Sequence, residues 1–242
     1  MIELRLPEFA ETGDERMIYN EIYQDQGIDH MDSFYLWLLE LMKPQPGQTL
    51  LDISCGQGKL VEFARKQKVQ AFGVDFSEPA LQIAQQKIQN SAYAVTDAQA
   101  LGIESNQFDF VANIGSIEHY RDPAQGIREI SRVLKPTGVA CILLPNTYSL
   151  LGNVKHAAQT GDVYQGFQPI ERYHTLNGWG TLLAENGLQP FTVAKFEMVR
   201  PRTVRDLRWY LRRPAKVAHY MIMYIIPLAL ANCFVYLCRP SK

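Results

Sequence analysis

LLDISCGQGKL, residues 50–60, decides the fold of this 242-residue chain. Leu50, Leu51 and Ile53 make an apolar strand, and Gly56 and Gly58 follow in a loop too thin for side chains. From Gly58 onward, GKLVEFARKQ has the spacing of an amphipathic helix. Strand, glycine turn and helix in that order let a ligand approach the main chain. The first helical turn presents N–H groups and a positive dipole end to an anionic group, a pyrophosphate or a carboxylate. A dinucleotide loop has a third glycine three residues after Gly58. Val61 stands there, which weighs against NAD or FAD but leaves a nicotinamide-dependent oxidoreductase on a related fold open.

Outward from the loop, the chain alternates. VQAFGVDF (69–76) reads as a strand, and EPALQIAQQKIQ (78–89) as a helix with Ser77 at its N-cap and Pro79 in its first turn. AYAVTDA (92–98) and FDFVANIG (108–115) read as strands. PAQGIREISRVL (123–134) is a helix stopped near Lys135-Pro136, and GVACILLPN (138–146) is a strand. LNGWGTLLAENG (176–187) is a helix with Gly187 just past its end, and LQPFTVAKFEMV (188–199) a strand. Such alternation builds parallel βαβ units, hence a doubly wound α/β sandwich. VACILL and FVAN lack polar alternation, as strands covered on both faces should. Ligands in such sheets sit outside the carboxyl ends of the strands. That singles out the loops at residues 54–58, 75–76, 97–98, 113–120 and 145–148. Asp75, ending the second strand, suits two ribose hydroxyls, and Phe76 beside it offers a flat face to a ring. Asp97, ending the third, can accept a hydrogen bond from an adenine amino group.

Five segments, LLDISCGQGKL, GVDFSEPAL, VTDAQAL, FDFVANIGSIEHYRDP and REISRVLKPTGVACILLPN, fall in this order over about residues 48–146. Together they resemble the class I S-adenosylmethionine-dependent methyltransferases, most closely the small-molecule group that includes ubiquinone, sterol and sugar methylators. The resemblance implies a Rossmann-like, mostly parallel seven-stranded sheet with an antiparallel last strand and helices on both faces. It implies S-adenosylmethionine as cofactor. Asp52 and the backbone of Ser54, Cys55, Gly56 and Gly58 would hold the methionine end, and Asp75 the ribose. Asp97 and the Ala98 backbone would hold adenine, and the main chain near Asn113 would face the methionine amino group. Ser54 stands where the family often has glycine, and a serine there is expected to keep a negative φ.

Methyl transfer draws its reactivity from the cofactor, so the protein need only position the reactants and exclude water. A general base is required when the acceptor holds its proton at neutral pH. In IGSIEHYRDP, His119 is the candidate base for a hydroxyl acceptor; Glu118 and His119 equally suit holding the loop or touching the cofactor. Tyr19, Tyr23, His156, Glu171, Arg172, Tyr173 and His174 lie in segments that cap the pocket in this family. No Asn/Asp-Pro-Pro-aromatic run follows the fourth strand, which argues against a methylator of adenine or glutamine amino groups. No carboxylate cluster forms a metal site.

Composition sets the remaining bounds. The chain is 47% hydrophobic and 20% charged with net charge −1, so no nucleic acid is expected as partner. Cys55, Cys141, Cys233 and Cys238 match no zinc spacing, and MIELRLPEFAETGDER lacks a signal-peptide core. Reduced thiols and a cytoplasmic location follow as expectations. Residues 15–42 read as helical, so residues 1–46 are expected to form a helical cap on a domain spanning 47–242. At the other end, basic RTVRDLRWYLRRPAK (202–216) precedes VAHYMIMYIIPLALANCFVYLC (217–238), which has no formal charge. Taken alone, the latter could span a bilayer. The fold, however, needs a seventh strand, and NCFVYLCR is its candidate. What remains is a helical insertion at about 200–230 that covers an acceptor pocket and offers peripheral membrane contact. A small-molecule acceptor is the expected partner. A non-catalytic binding module of the same fold is the third alternative.

Overall fold

In the computed structural model the described residues are 1–6, 14–25, 27–88 and 93–241. The chain opens with strand β1 (Ile2–Arg5) and helices α1 (Glu15–Asp25) and α2 (Asp32–Met42). Then come β2 (Thr49–Ile53), α3 (Lys59–Lys66), β3 (Gln70–Asp75), α4 (Glu78–Lys87), β4 (Tyr93–Val95), β5 (Phe108–Ile114), α5 (Pro123–Val133) and β6 (Leu134–Pro145). The last part holds α6 (Lys155–Thr160), β7 (Ile170–Tyr173), α7 (Leu176–Glu185), β8 (Leu188–Phe196), α8 (Val204–Leu211), α9 (Pro214–Ile222) and β9 (Cys233–Pro240).

Seven strands form one sheet in the order β4-β3-β2-β5-β6-β9-β8. The pairs from β4 to β6 are parallel, and β9 runs antiparallel to both neighbours, with Leu143 opposite Val235 and Ala194 opposite Val235. NCFVYLCR is therefore taken into the sheet, as the fold required. Strand order reverses beside β2, which has β3 on one side and β5 on the other. This is the switch point where an α/β sheet opens a crevice.

Apolar alternation builds the two faces. Along β2, Leu50 faces the layer of α2 and α3 with Phe34, Leu38, Leu60 and Val61, whereas Leu51 and Ile53 face α5 and α7 with Ile127, Ile130, Trp179 and Leu183. Val61 is fully buried, so α3 stands far enough from the sheet to accommodate a side chain where a dinucleotide fold needs glycine. Truncating a core residue such as Leu38 costs about 2–5 kcal/mol. Ser77 caps α4 by accepting from Ala80 N, with a proline in the first turn; Gln89 and Ala92, at the edges of two expected elements, lie outside the described residues.

Two features differ from expectation. The helical segment 15–42 is two helices. Gly27 between them takes a left-handed φ of +68°, and its N–H donates to Ile22 O at 2.8 Å. The N-terminal segment is also not purely helical: β1 pairs antiparallel with β7, Ile2 opposite Tyr173 and Arg5 opposite Ile170. Between β8 and β9 lie α8, α9 and a short 3₁₀ turn at Leu228–Leu230. No helix among the described residues is long and apolar enough to cross a membrane.

Candidate active site

The carboxyl ends of β2, β3 and β5, with the loop after β4, open into one cavity of about 380 Å³, within the usual range of small-molecule sites. Asp52, Ser54, Cys55, Gly56, Asp75, Phe76, Asp97, Ala98 and His119 all line it. Gly58 and Asn113 do not: Gly58 turns the chain into α3 at φ +71°, and Ile114 and Gly115 carry the wall beyond Asn113. Tyr19 and Tyr23 of α1 close the near side. Tyr19 packs on Phe76 at 5.3 Å and its hydroxyl donates to Gln168 Oε1 at 2.9 Å.

The glycine loop is not an anion cradle. Cys55 N donates to Val74 O, Gly58 N to Cys55 O and Gly56 N to an Asp75 oxygen at 2.8 Å. Three N–H groups expected for a ligand are thus satisfied inside the protein. The geometry leaves no room for side chains there. A Cβ on Gly56, at φ +51°, would sit 2.7 Å from the Tyr23 hydroxyl. Ser54 departs from its expected conformation, with φ +59°. A left-handed serine costs roughly 1 kcal/mol, and its Oγ is tied at 2.8 Å to the Tyr120 hydroxyl, which holds it there.

Charge is the cavity's most unusual property. Among the described residues its wall carries five acidic side chains, Glu15, Asp52, Asp75, Asp97 and Glu118, and no lysine or arginine. Burial pushes Asp52 well above the usual carboxylate range, and the charge of Asp75 pushes it further. Burial raises Asp75 to about 6 even though Ser77 N and Gly56 N donate to its two oxygens. Burial lifts Glu118 to about 8, so its carboxyl is protonated at neutral pH, and its Oε2 is buried without a hydrogen-bond partner. Glu15 pairs with Arg121 at 2.9 Å, but the buried Asp52 and Asp75 face a wall without lysine or arginine, which complements a cationic ligand. A pyrophosphate would be repelled. Asp97 is exposed and accepts from Gln99 N at 2.8 Å, at the open end of the cavity.

His119 sits in a short 3₁₀ turn, Ile117–His119, after β5. Its Nδ1 is hydrogen-bonded to the Ile170 carbonyl, which can only accept, so Nδ1 carries the proton and Nε2 is the basic nitrogen. Burial lowers its pKa to about 4, and the imidazole is neutral over the physiological range. Glu118 Oε1 lies 3.7 Å from Nε2; with both groups held neutral by burial, this is a contact rather than an ion pair. The loop is fixed from behind. Arg172 of β7 donates to the carbonyls of Glu118 and Tyr120 and pairs with Glu3 of β1 at 2.7 Å. The two-stranded β1–β7 sheet thereby positions His119.

Of the other sequence candidates, Glu171, Arg172, Tyr173, His174 and His156 lie outside the wall. Glu171 accepts from Tyr173 and from Gly166 N, and His156 packs edge-on to Tyr164 at 5.5 Å. Sequence reasoning missed Tyr120, whose hydroxyl receives Asn113 Nδ2 at 2.7 Å and joins Ser54 and Ser116. The signal was present, since Tyr120 directly follows Glu118 and His119. It also missed Phe196, Asn232 and Cys233, at the cavity ends of β8 and β9. Among the described residues, no group of three or more His, Cys, Asp or Glu is placed to hold a metal.

With this geometry in hand, similarity to known proteins is informative. Residues 51–142 match the methyltransferase domain family. A ubiquinone biosynthesis O-methyltransferase from Ruegeria pomeroyi is 36% identical over 101 residues, 40% of this chain and 41% of that protein. The protein of the same name from Roseobacter denitrificans is 33% identical over 163 residues, 62% of this chain and 64% of that protein. The chain therefore spans between about two fifths and two thirds of the length of these relatives. A solved S-adenosylmethionine-dependent methyltransferase from Thermotoga maritima superposes with TM-score 0.62 at 18% identity, covering 93% of this chain and 99% of that one, which is a likeness of fold. The seven-stranded sheet, the motif order and the matched domain agree: residues 51–142 are a methyltransferase domain, set in a sheet of the class I S-adenosylmethionine-dependent methyltransferase fold.

Proposed function

We propose that this chain binds S-adenosylmethionine and methylates a hydroxyl on a small, largely apolar acceptor. The observation that carries this reading is the acidic lining of the cavity: five acidic side chains, Glu118 among them in its neutral form, no lysine or arginine in the wall, and an orphaned Glu118 oxygen. A dinucleotide, with its anionic pyrophosphate, fits that wall poorly; S-adenosylmethionine, with a sulfonium and an ammonium group, fits it well. When bound, it supplies an electrophilic methyl group. Asp75 would receive the ribose hydroxyls on oxygen lone pairs left free by Gly56 N and Ser77 N. Phe76 would flank the adenine and Asp97 would meet its amino group. Asp52 would offset the cationic end of the ligand, and Tyr19 and Tyr23 would exclude water.

His119 Nε2 would take the acceptor proton. Neutral imidazole is the required form, and burial keeps it so. Relatives named for ubiquinone biosynthesis and for 2-phytyl-1,4-naphthoquinone methylation support an apolar acceptor, as do Phe167, Phe196 and Leu143 in the wall. Residues 1–46 act in this reading as a cap on a catalytic domain over 47–242, and the setting is cytoplasmic or membrane-peripheral. The test is incubation with methyl-labelled donor and fractionated lipid and metabolite extracts. Label entering an organic-soluble fraction, and lost in His119→Ala, is expected; label entering no fraction contradicts the reading.

A further inference from the structure

Helix α8 is amphipathic the wrong way round. Its buried face carries Asp206 and Tyr210, while Val204, Leu207 and Leu211, spaced for one face, point to solvent. Leu211 is 71% exposed. Helix α9 continues the pattern: none of its residues is buried, and Val217, Met221 and Ile222 are exposed. Ile225, just beyond it, is 80% exposed. An apolar surface of this extent on one element pair marks a place where something else binds.

The charge around it says what. Residues 200–225 hold seven lysines and arginines and one acid, in a chain of net charge −1. That acid, Asp206, is buried and accepts from Ser33 N at 2.7 Å. Arg205, Arg208, Arg212, Arg213 and Lys216 are exposed along the same helices. Cations interleaved with exposed aliphatic side chains complement an anionic surface with an apolar interior. A nucleic acid would satisfy the charge but not the leucines.

The platform is anchored to the cavity rim. Lys195 Nζ donates to the carbonyls of Met223 and Ile226, at 2.8 and 2.6 Å. Glu197 accepts from Asn232 N at 2.6 Å and lies 3.2 Å from His219 Nε2. Phe196, between Lys195 and Glu197, and Cys233, next to Asn232, are cavity wall.

We propose that the outward face of α8–α9 docks on an anionic lipid bilayer and sets the Phe196–Cys233 rim beside the membrane, from which an apolar acceptor enters. The docking stands on the surface alone; the acceptor route rests on the methyltransferase reading. Flotation of the full chain tests it, with vesicles of phosphatidylcholine and with an equal mixture of phosphatidylcholine and phosphatidylglycerol. Affinity for the mixed vesicles is expected to be about tenfold higher or more and to weaken at high salt. Leu211→Glu with Ile225→Glu should abolish flotation while leaving circular dichroism and S-adenosylhomocysteine affinity unchanged. Failure of wild type to float with anionic vesicles overturns the proposal, as does flotation of the double variant at the wild-type level. A dimer seen by light scattering that the same variant dissociates also overturns it, assigning the face to a second copy. Failure to float with S-adenosylhomocysteine still bound removes only the docking; the converse removes only the cofactor reading.

Discussion

The crevice at the ends of β2, β3 and β5 and the α8–α9 platform solve opposite problems. At the floor of the crevice, polar groups are partnered inside the chain: Asp75 by Gly56 and Ser77, Asn113 by Tyr120 and Ile53, His119 by Ile170. On the platform, leucines and isoleucines face water and only the inner side is tied down, through Asp206 and Tyr210. The first region lies largely within the family match at residues 51–142; the second lies outside it. In the proposed reading, methyl transfer sets the demands on the crevice, and delivery of the acceptor sets those on the platform.

The contrast can be broken from either side. The largest effect is expected at His119. His119→Ala should lower turnover by about a hundredfold to ten-thousandfold without changing S-adenosylhomocysteine affinity. With its pKa lowered to about 4, the wild-type turnover at saturating donor should show no acidic limb in the ordinary histidine range. A pH-rate profile with a limb near neutrality would reassign the base. Tyr120→Phe comes next: it strips a shared partner from Asn113, Ser54 and Ser116. An expected cost of about 2 kcal/mol should appear in chemical denaturation, and no loss would show that Ser54 holds its left-handed turn unaided.

A third test uses pH. Asp75 at about 6 and Glu118 at about 8 bind protons more tightly folded than unfolded. Their contribution to stability is therefore full below the unfolded carboxylate range and is lost as pH rises through 6 and then 8. The melting temperature of the free protein should fall by several degrees between pH 6 and 8, and Glu118→Gln should flatten the curve; scanning calorimetry reads this directly. The smallest effect belongs to the platform. Leu211→Glu and Ile225→Glu should each leave stability within about 0.5 kcal/mol of wild type, because neither side chain packs on the core. A large loss would show that the face is not outward at all.

The strand–helix alternation and the loops that end the strands were legible because they depend on local pattern, whereas the seventh, antiparallel strand came from the family resemblance. Leu50 and Leu51 alternate between faces by strand geometry alone, and Asp75 must sit at a strand end if VQAFGVDF is a strand. What escaped depends on partners far along the chain. The φ of Ser54 is set with Tyr120, 66 residues away. Two of the loop N–H groups, of Cys55 and Gly56, looked available because their acceptors, Val74 and Asp75, belong to another strand. Arg172 holds the His119 loop only through a strand pair joining residues 2–5 to 170–173, for which no local pattern exists. The shortage of positive charge in the cavity needed the whole wall assembled before it could be seen.

Isothermal titration of wild type and Asp75→Ala with S-adenosylhomocysteine tests the central claim most directly. Saturable binding to wild type is expected, with an affinity about a hundredfold weaker in the variant, the loss of hydrogen bonds to one charged group. No heat of binding to wild type, or equal affinity in both proteins, would contradict the assignment of this crevice.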